Sequence, residues 1–313
     1  MLHELATLIR YSLGQGIAGR SLRVFPDDTF IVSFPRSGNT WTRFLVANLL
    51  HPGRYVTFQN IERIIPDMHA QGERFMRRVP RPRIIKSHEY FDARFRRVIY
   101  IVRDPRDVLL SSYNFHRKQR QIPDDYPLQQ YVTRFLSGDV WTSYASWSQN
   151  VCSWLATHSQ VPAGGLFGNW ANNVSSWLTA PIHSCDLLLL RYETMVAEPA
   201  RELARIADFL RIEATPDLLS QAVTRSSVLE LRKLERTQAR DWIMTKHTRQ
   251  DIPFIGGAQA GGWRSNLPAE WVGQVETSWG PLMTALGYKL RSGNQLTETD
   301  VDRIDIGKRM SLG

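Results

Sequence analysis

The segment from Thr29 to Leu50 constrains the fold more than any other. Thr29-Phe-Ile-Val-Ser-Phe34 is a short apolar run ended by Pro35, and a run of that length bounded by a breaker reads as a buried strand. Arg36-Ser-Gly-Asn39 has the composition of a tight turn. From Thr40 to Leu50, residues Trp41, Phe44, Leu45, Asn48 and Leu49 then recur at helical spacing. A strand that turns within four residues into a helix is half of a crossover unit. A chain that repeats the unit builds a parallel sheet with helices packed on it.

The unit does repeat. Arg83-Ile-Ile-Lys-Ser87 reads as a second strand, and Arg97-Val-Ile-Tyr-Ile-Val102, rich in β-branched residues, as a third. Pro105 stands where the first turn of a helix accepts proline, and that helix runs to about Lys118. Asp186 to Arg191 holds four consecutive leucines, the mark of a central strand buried on both faces. Amphipathic helices follow over Glu198 to Leu210 and Pro268 to Leu286. No low-complexity linker divides the 313 residues, so one domain over 1–313 is expected, with a helical insertion at about 120–180 and a loosely held tail at about 291–313. Trp147-Ser-Gln-Asn-Val-Cys-Ser-Trp-Leu155 echoes Trp170-Ala-Asn-Asn-Val-Ser-Ser-Trp-Leu178. In each copy Trp, Val and Trp share a helix face, which suits either two core-facing helices or a paired aromatic lid over a ligand.

Composition narrows the function classes. The formal charge is +9, a sign that suits nucleic acid, anionic membranes or anionic small molecules. Many of the cations are arginines between Arg74 and Arg106, and the guanidinium fork matches phosphate geometry. No nucleic-acid recognition motif accompanies them. Cys152 and Cys185 have no partners at metal-ligand spacing, so neither a zinc site nor a disulfide framework is expected. Met1 to Leu13 reads as an amphipathic helix rather than a signal peptide. No apolar run reaches the roughly eighteen residues of a membrane span, and a cytoplasmic location is expected.

Ser33-Phe-Pro-Arg-Ser-Gly-Asn-Thr-Trp41 has the makings of an anion cradle. A loop that leaves a strand and opens a helix gathers main-chain N–H groups around one point, at the positive end of the helix dipole. Gly38 allows close approach of a ligand to the backbone; Ser37, Asn39 and Thr40 add donors, and Arg36 adds charge. The nucleoside-triphosphate loop, Gly, four residues, then Gly-Lys-Ser/Thr, does not occur, which disfavours an ATP or GTP hydrolase and a small-molecule kinase.

The segment resembles the 5′-phosphosulfate loop of the sulfotransferase family, near T-Y-P-K-S-G-T-T-W, and the likeness extends over most of the chain. Lys86-Ser-His88 is similar to the family's K-T-H, and Arg103-Asp-Pro-Arg-Asp-Val-Leu-Leu-Ser111 to its 3′-phosphate motif R-N-P-K-D-V-x-V-S. Leu190-Arg-Tyr-Glu-Thr-Met195 resembles a strand followed by Y-E-D-M, and Gly261-Gly-Trp-Arg264 the end of the C-terminal motif, G-D-W-K. The resemblance implies an α/β fold: a single three-layer domain with a central parallel sheet, a P-loop-like phosphosulfate loop and helices on both faces. It implies transfer of a sulfuryl group from 3′-phosphoadenosine 5′-phosphosulfate (PAPS) to a hydroxyl or amine of a small-molecule acceptor, leaving 3′-phosphoadenosine 5′-phosphate (PAP). No metal, no nucleic acid and no membrane span are implied; a homodimer is compatible, though no dimer signature is evident.

Position by position, the resemblance places Arg36 at the family's catalytic Lys and His88 at its general base. Arg36 and Lys86 become the cations beside the leaving phosphate. Ser37, Gly38, Asn39 and Thr40 hold the 5′-phosphate and sulfate, Trp41 stacks on adenine, and Arg103 and Ser111 bind the 3′-phosphate. Tyr192 approaches the adenine, as do Ser226 and Val228, which replace a Thr and a Phe. Gly261, Gly262, Trp263 and Arg264 complete the nucleotide site. His51, His69, His116, His158, His183 and His247 lie outside the motifs and receive no role.

The C-terminal motif departs most. Where the family has a basic pair, alignment on Trp263 places Gly256, Gly257 and Ala258; glycine N–H groups can form an anion nest, and Arg249 or Arg264 are candidates to compensate. The loss also leaves room for a catalytically silent nucleotide-binding protein of the same fold, against which the retained His88 speaks. The acceptor pocket is expected from Gln119 to Trp141, the Trp-bearing insertion and Thr237 to Ala260, and their aromatic content suits a flat or apolar acceptor or a sugar.

Overall fold

The computed structural model describes residues 17–144, 167–181, 185–257 and 259–291. Among them, strands β1 (Thr29–Ser33), β2 (Ile84–Ser87), β3 (Arg97–Val102) and β4 (Asp186–Arg191) pair in parallel in the order β2-β1-β3-β4. Every position of β1 is buried, as are Val98 to Val102 of β3. Side chains alternate between faces along a strand, so continuous burial means that both faces of the sheet are covered. Phe30 of β1 stacks on Phe95 with ring centroids 3.6 Å apart.

The register brings the carboxyl ends of the strands to one edge: Ser33 pairs with Ile101, Val32 with Ser87, and Val102 with Arg191. β2 and β3 lie on opposite sides of β1, so the connections diverge there. A crevice outside the strand ends at such a switch point is where open α/β sheets take their ligands.

Helices Asn39–Leu50, Pro105–Lys118, Pro199–Leu210 and Ala269–Ala285 match the periodic segments to within one residue. Asp104 starts the second of them: its side chain accepts the Arg106 N–H at 3.0 Å, and Pro105 follows at the first helical position. Arg106 belongs to the core, not to a ligand site or a solvated turn. It pairs with Asp104 at 2.6 Å and Glu276 at 2.5 Å and lies 3.8 Å above the Trp263 ring, joining the Pro105–Lys118 and Ala269–Ala285 helices. A second buried pair, Arg83 with Asp28 at 2.6 Å, ties together the starts of β1 and β2. Removing one partner of such a pair costs about 3–5 kcal/mol, because the other charge stays buried.

The tryptophan stripe resolves as core. Trp170, Val174 and Trp177 of the Trp170–Leu178 helix are fully buried. Trp170 Nε1 donates to the Arg103 carbonyl at 3.1 Å and Trp177 Nε1 to the Glu89 carbonyl at 2.9 Å, so neither forms a lid. The sister segment Trp147 to Leu155 lies outside the described residues, as do Met1 to Leu13 and the tail from residue 292 on. Among the described residues no helix is long and apolar enough to cross a membrane.

Candidate active site

A cavity of about 960 Å³ opens at the carboxyl edge of the sheet. Each strand delivers a motif to it. Arg36 to Trp41 follow β1, His88 follows β2, Arg103 follows β3 and Tyr192 follows β4, and all but Ser37 of these residues line its wall.

The loop after β1 turns sharply: Arg36 has φ 68° and Gly38 φ 99°. Gly38 is required twice over, since an added Cβ would lie 2.5 Å from Tyr192 Cδ2 and the backbone is left-handed. The N–H groups in the first turn of the Asn39–Leu50 helix have no intrahelical acceptor, and no side chain among the described residues caps them. The Ser37 hydroxyl and Arg103 Nε are buried and make no hydrogen bond among the described residues. Uncapped amides and unpaired donors around a glycine cradle fit an anionic group such as the 5′-phosphosulfate of PAPS. Asn39 does not add to them as a side chain: its Nδ2 donates inward to the carbonyls of Ile31 at 3.0 Å and Ser87 at 3.2 Å, which locks β1, β2 and the helix start together.

Arg36 Nε donates to Ser111 Oγ at 3.1 Å and Nη2 to the Phe254 carbonyl at 3.3 Å. Its guanidinium lies 4.8 Å from the Phe115 ring centre and 5.0 Å from that of Phe254. Arg103 Nη1 donates to the Arg36 carbonyl at 3.0 Å, and its guanidinium sits 4.3 Å over Tyr192. Trp41 meets Tyr192 edge to face at 6.1 Å, and its Nε1 donates to the Ser226 carbonyl at 3.0 Å. Ser226 is buried behind Trp41, its hydroxyl accepting from Asn48 at 3.0 Å, and does not reach the cavity; Val228 does.

The His88 ring is fixed through one of its nitrogens. Its Nδ1 is 2.7 Å from the Ser33 carbonyl. A carbonyl only accepts, so Nδ1 carries the proton and Nε2 keeps its lone pair. Burial first, then the nearby Lys86 and His69, holds the imidazole well below the ordinary histidine range, so the ring is neutral at physiological pH. Lys86 is paired with buried Asp67 at 2.5 Å. Burial alone would raise the Asp67 carboxyl, but Lys86, with His69 and Arg43, overrides it and lowers the carboxyl well below its usual range.

Asp67 and His69 are site residues that no motif signals. They arrive because Asp67 bridges to Lys86 alongside β2, a pairing that no periodicity in the sequence marks. Phe115, Phe167 and Phe254 also reach the cavity wall from helix and loop positions. The expected acceptor segments do contribute: Gln119, Gln121 and Trp141 from one, and Ile243, Met244, Lys246 and His247 from another.

The C-terminal motif is placed differently from expectation. The N–H groups of Gly261 and Trp263 are occupied by the Asp107 carboxylate, at 2.7 Å and 2.9 Å. Trp263 is buried beneath Arg106, and Arg264 is exposed, stacked 4.5 Å over Trp263. Gly261, Trp263 and Arg264 are not on the cavity wall, whereas Gly256, Gly257 and Gly262 are. Arg249 does not compensate for the missing basic pair, because it is tied to Asp124 and Asp251, each at 2.5 Å, in a separate surface groove.

The family model for the sulfotransferase domain matches residues 26–287. Sulfotransferase 1B1 of Canis lupus familiaris is 27% identical over 218 residues, 64% of this chain and 65% of that protein. Sulfotransferase 1A1 of Mus musculus is 25% identical over 292 residues, 87% of this chain and 90% of the mouse protein. The structure of retinol dehydratase in complex with androsterone and the inactive cofactor PAP superposes with a TM-score of 0.62 at 19% identity, covering 89% of this chain and 86% of that one. With the family model spanning most of its length, the chain belongs to the sulfotransferase family.

Proposed function

We propose that the chain transfers the sulfuryl group of PAPS in line to a hydroxyl or amine of a small-molecule acceptor, with His88 as general base and Arg36 and Lys86 beside the leaving phosphate. The reading rests above all on one observation: His88, its Nδ1 held on the Ser33 carbonyl, and the Gly38–Trp41 cradle share one cavity. Bound PAPS supplies an activated sulfuryl group whose departure leaves negative charge on a phosphate oxygen.

The chain's residues divide the remaining work. The amides of the helix start, with Ser37 and Thr40, hold the 5′-phosphosulfate, and Trp41 with Tyr192 and Val228 encloses the adenine. Arg103 and Ser111 take the 3′-phosphate. Arg36, held between two aromatic rings, is preorganised and stays charged throughout. Lys86 is kept at the wall by Asp67. Fixed cations of this kind stabilise charge that develops only in the transition state. His88 Nε2 takes the acceptor proton, and the Ser33 carbonyl holds the ring in the tautomer that can do so.

Calorimetric titration with PAP and with AMP at fixed salt tests the site. PAP is expected to bind at least tenfold more tightly than AMP, on the roughly 1.5–3 kcal/mol of charge-assisted hydrogen bonding to the extra phosphate. Arg103→Ala or Ser111→Ala should erase the difference. Equal binding of the two nucleotides by the unaltered protein refutes the 3′-phosphate site and favours the silent nucleotide-binding alternative.

A further inference from the structure

His69 stands beside His88 on the cavity wall with the opposite protonation pattern. The main-chain N–H of His88 donates to His69 Nε2 at 3.0 Å. A ring nitrogen that accepts carries no proton, so the neutral His69 ring holds its proton on Nδ1. That Nδ1–H makes no hydrogen bond with a described residue, nor does His88 Nε2. The two rings run within 19° of parallel with centroids 5.9 Å apart. Both pack edge-on against Phe167, at 5.0 Å and 5.6 Å. Asp67 Oδ1 accepts the His69 main-chain N–H at 2.9 Å and fixes the approach of the ring.

Both rings line the cavity, which therefore carries a lone pair on His88 Nε2 and an N–H on His69 Nδ1, on rings whose centroids are 5.9 Å apart. A molecule that satisfies both must carry a donor and an acceptor on neighbouring atoms. We propose that His69 is a specificity-determining residue that selects acceptors whose reacting hydroxyl has a second oxygen on the adjacent carbon, such as 2-alkoxyphenols, catechols or vicinal diols. The inference rests on the sulfotransferase reading above. Its physical basis is the loss of water once nucleotide and acceptor fill the cavity: a substrate without the second oxygen then leaves the His69 N–H unpaired, and a site built to donate there discriminates against it.

Matched probes test it on the full chain: 2-methoxyphenol against 2-ethylphenol, which has nearly the same shape and phenol but no second oxygen. Two readouts are taken, the kcat/KM ratio with PAPS and the calorimetric affinity ratio for the PAP complex. The unaltered protein should favour 2-methoxyphenol by about threefold to tenfold in both, the range of one neutral hydrogen bond. His69→Asn keeps a donor near Nδ1, whereas His69→Gln keeps an acceptor near Nε2. Retention of the preference in His69→Asn and its loss in His69→Gln and His69→Phe support the proposal. The reverse order would mean that His69 only braces the His88 main chain, and overturns it. A protein that binds PAP but treats the two probes alike, or sulfates neither, overturns the selection by His69 alone. A protein that fails to bind PAP overturns the sulfotransferase reading and this inference with it.

Discussion

On the proposed donor side of the cavity the wall comes from residues at the strand ends: the Arg36–Trp41 loop after β1, with Arg103 and Tyr192 at the ends of β3 and β4. On the proposed acceptor side it comes from connections: His69 before β2, Phe167, Trp141, and Met244 with Lys246 beyond the Val228–Gln238 helix. The donor side follows from rules that operate over a few residues. A strand must end, a glycine must turn, and a helix start must leave amides unpaired. The acceptor side depends on contacts between residues far apart in the chain, and those can change without disturbing the sheet. The same cavity thus has one wall tied to the fold and one free to specify a substrate.

His88 lies at the junction of the two walls, and its removal should have the largest effect. His88→Ala is expected to lower kcat by about a hundredfold to ten-thousandfold, the worth of a positioned general base, while PAP affinity by calorimetry holds. Because burial, Lys86 and His69 depress the imidazole, the acid limb of the kcat/KM profile belongs well below the ordinary histidine value of about 6.5. A limb at or above that value, or a loss of nucleotide binding in the variant, would take the base out of the junction.

The Asp67–Lys86 pair comes next, because it ties β2 to the chain before it, between the two walls. Asp67→Asn leaves the Lys86 ammonium buried without its counter-charge and should cost about 3–5 kcal/mol in chemical denaturation. The carboxyl is lowered in the folded state, so its contribution is present above its unfolded value of about 3.8 and fades as the pH falls below that. A variant that unfolds at the same denaturant concentration as the parent would mean that the pair is solvated.

How far the sequence discloses the site follows the same division. The bounds of β3 and β4 are legible to the residue, but the leucine run that reads as a central strand buried on both faces forms the edge of the described sheet, with Leu187 and Leu189 only half-buried. The Gly38 cradle is legible because few folds need Arg, Ser, Gly and Thr in one turn. Asp67 and His69 are not, since their role comes from a bridge to β2 that no periodicity announces. Ser226, Gly261 and Trp263 show the converse: they stand where the motif pattern puts them, but the Ser226 hydroxyl and carbonyl are taken by Asn48 and Trp41, and the main-chain N–H groups of Gly261 and Trp263 by Asp107.

Trp41 offers a way to sharpen the donor side. Its ring is set by the Ser226 carbonyl and the Tyr192 edge. Trp41→Ala should weaken PAP binding by about 1–3 kcal/mol on stacking estimates, with a smaller change in acceptor KM. An effect confined to the acceptor would move Trp41 to the other wall.

The smallest effect is expected at Arg264, and there the comparison is most easily broken. By resemblance the residue belongs to the nucleotide site, yet the structure leaves it exposed, stacked on Trp263 and off the cavity wall. An exposed side chain without a buried partner contributes within about 0.5 kcal/mol, so Arg264→Ala should change PAP affinity by about twofold or less. Arg103→Ala, which removes a guanidinium bound to the loop itself, serves as the contrast at tenfold or more on charge-assisted hydrogen-bond energies of about 1.5–3 kcal/mol. If Arg264→Ala instead weakens PAP as much as Arg103→Ala, the Gly256–Arg264 segment must rearrange around the 3′-phosphate and bring its one arginine inward. The donor side would then depend, like the acceptor side, on a movable connection, and the missing basic pair would have its substitute there.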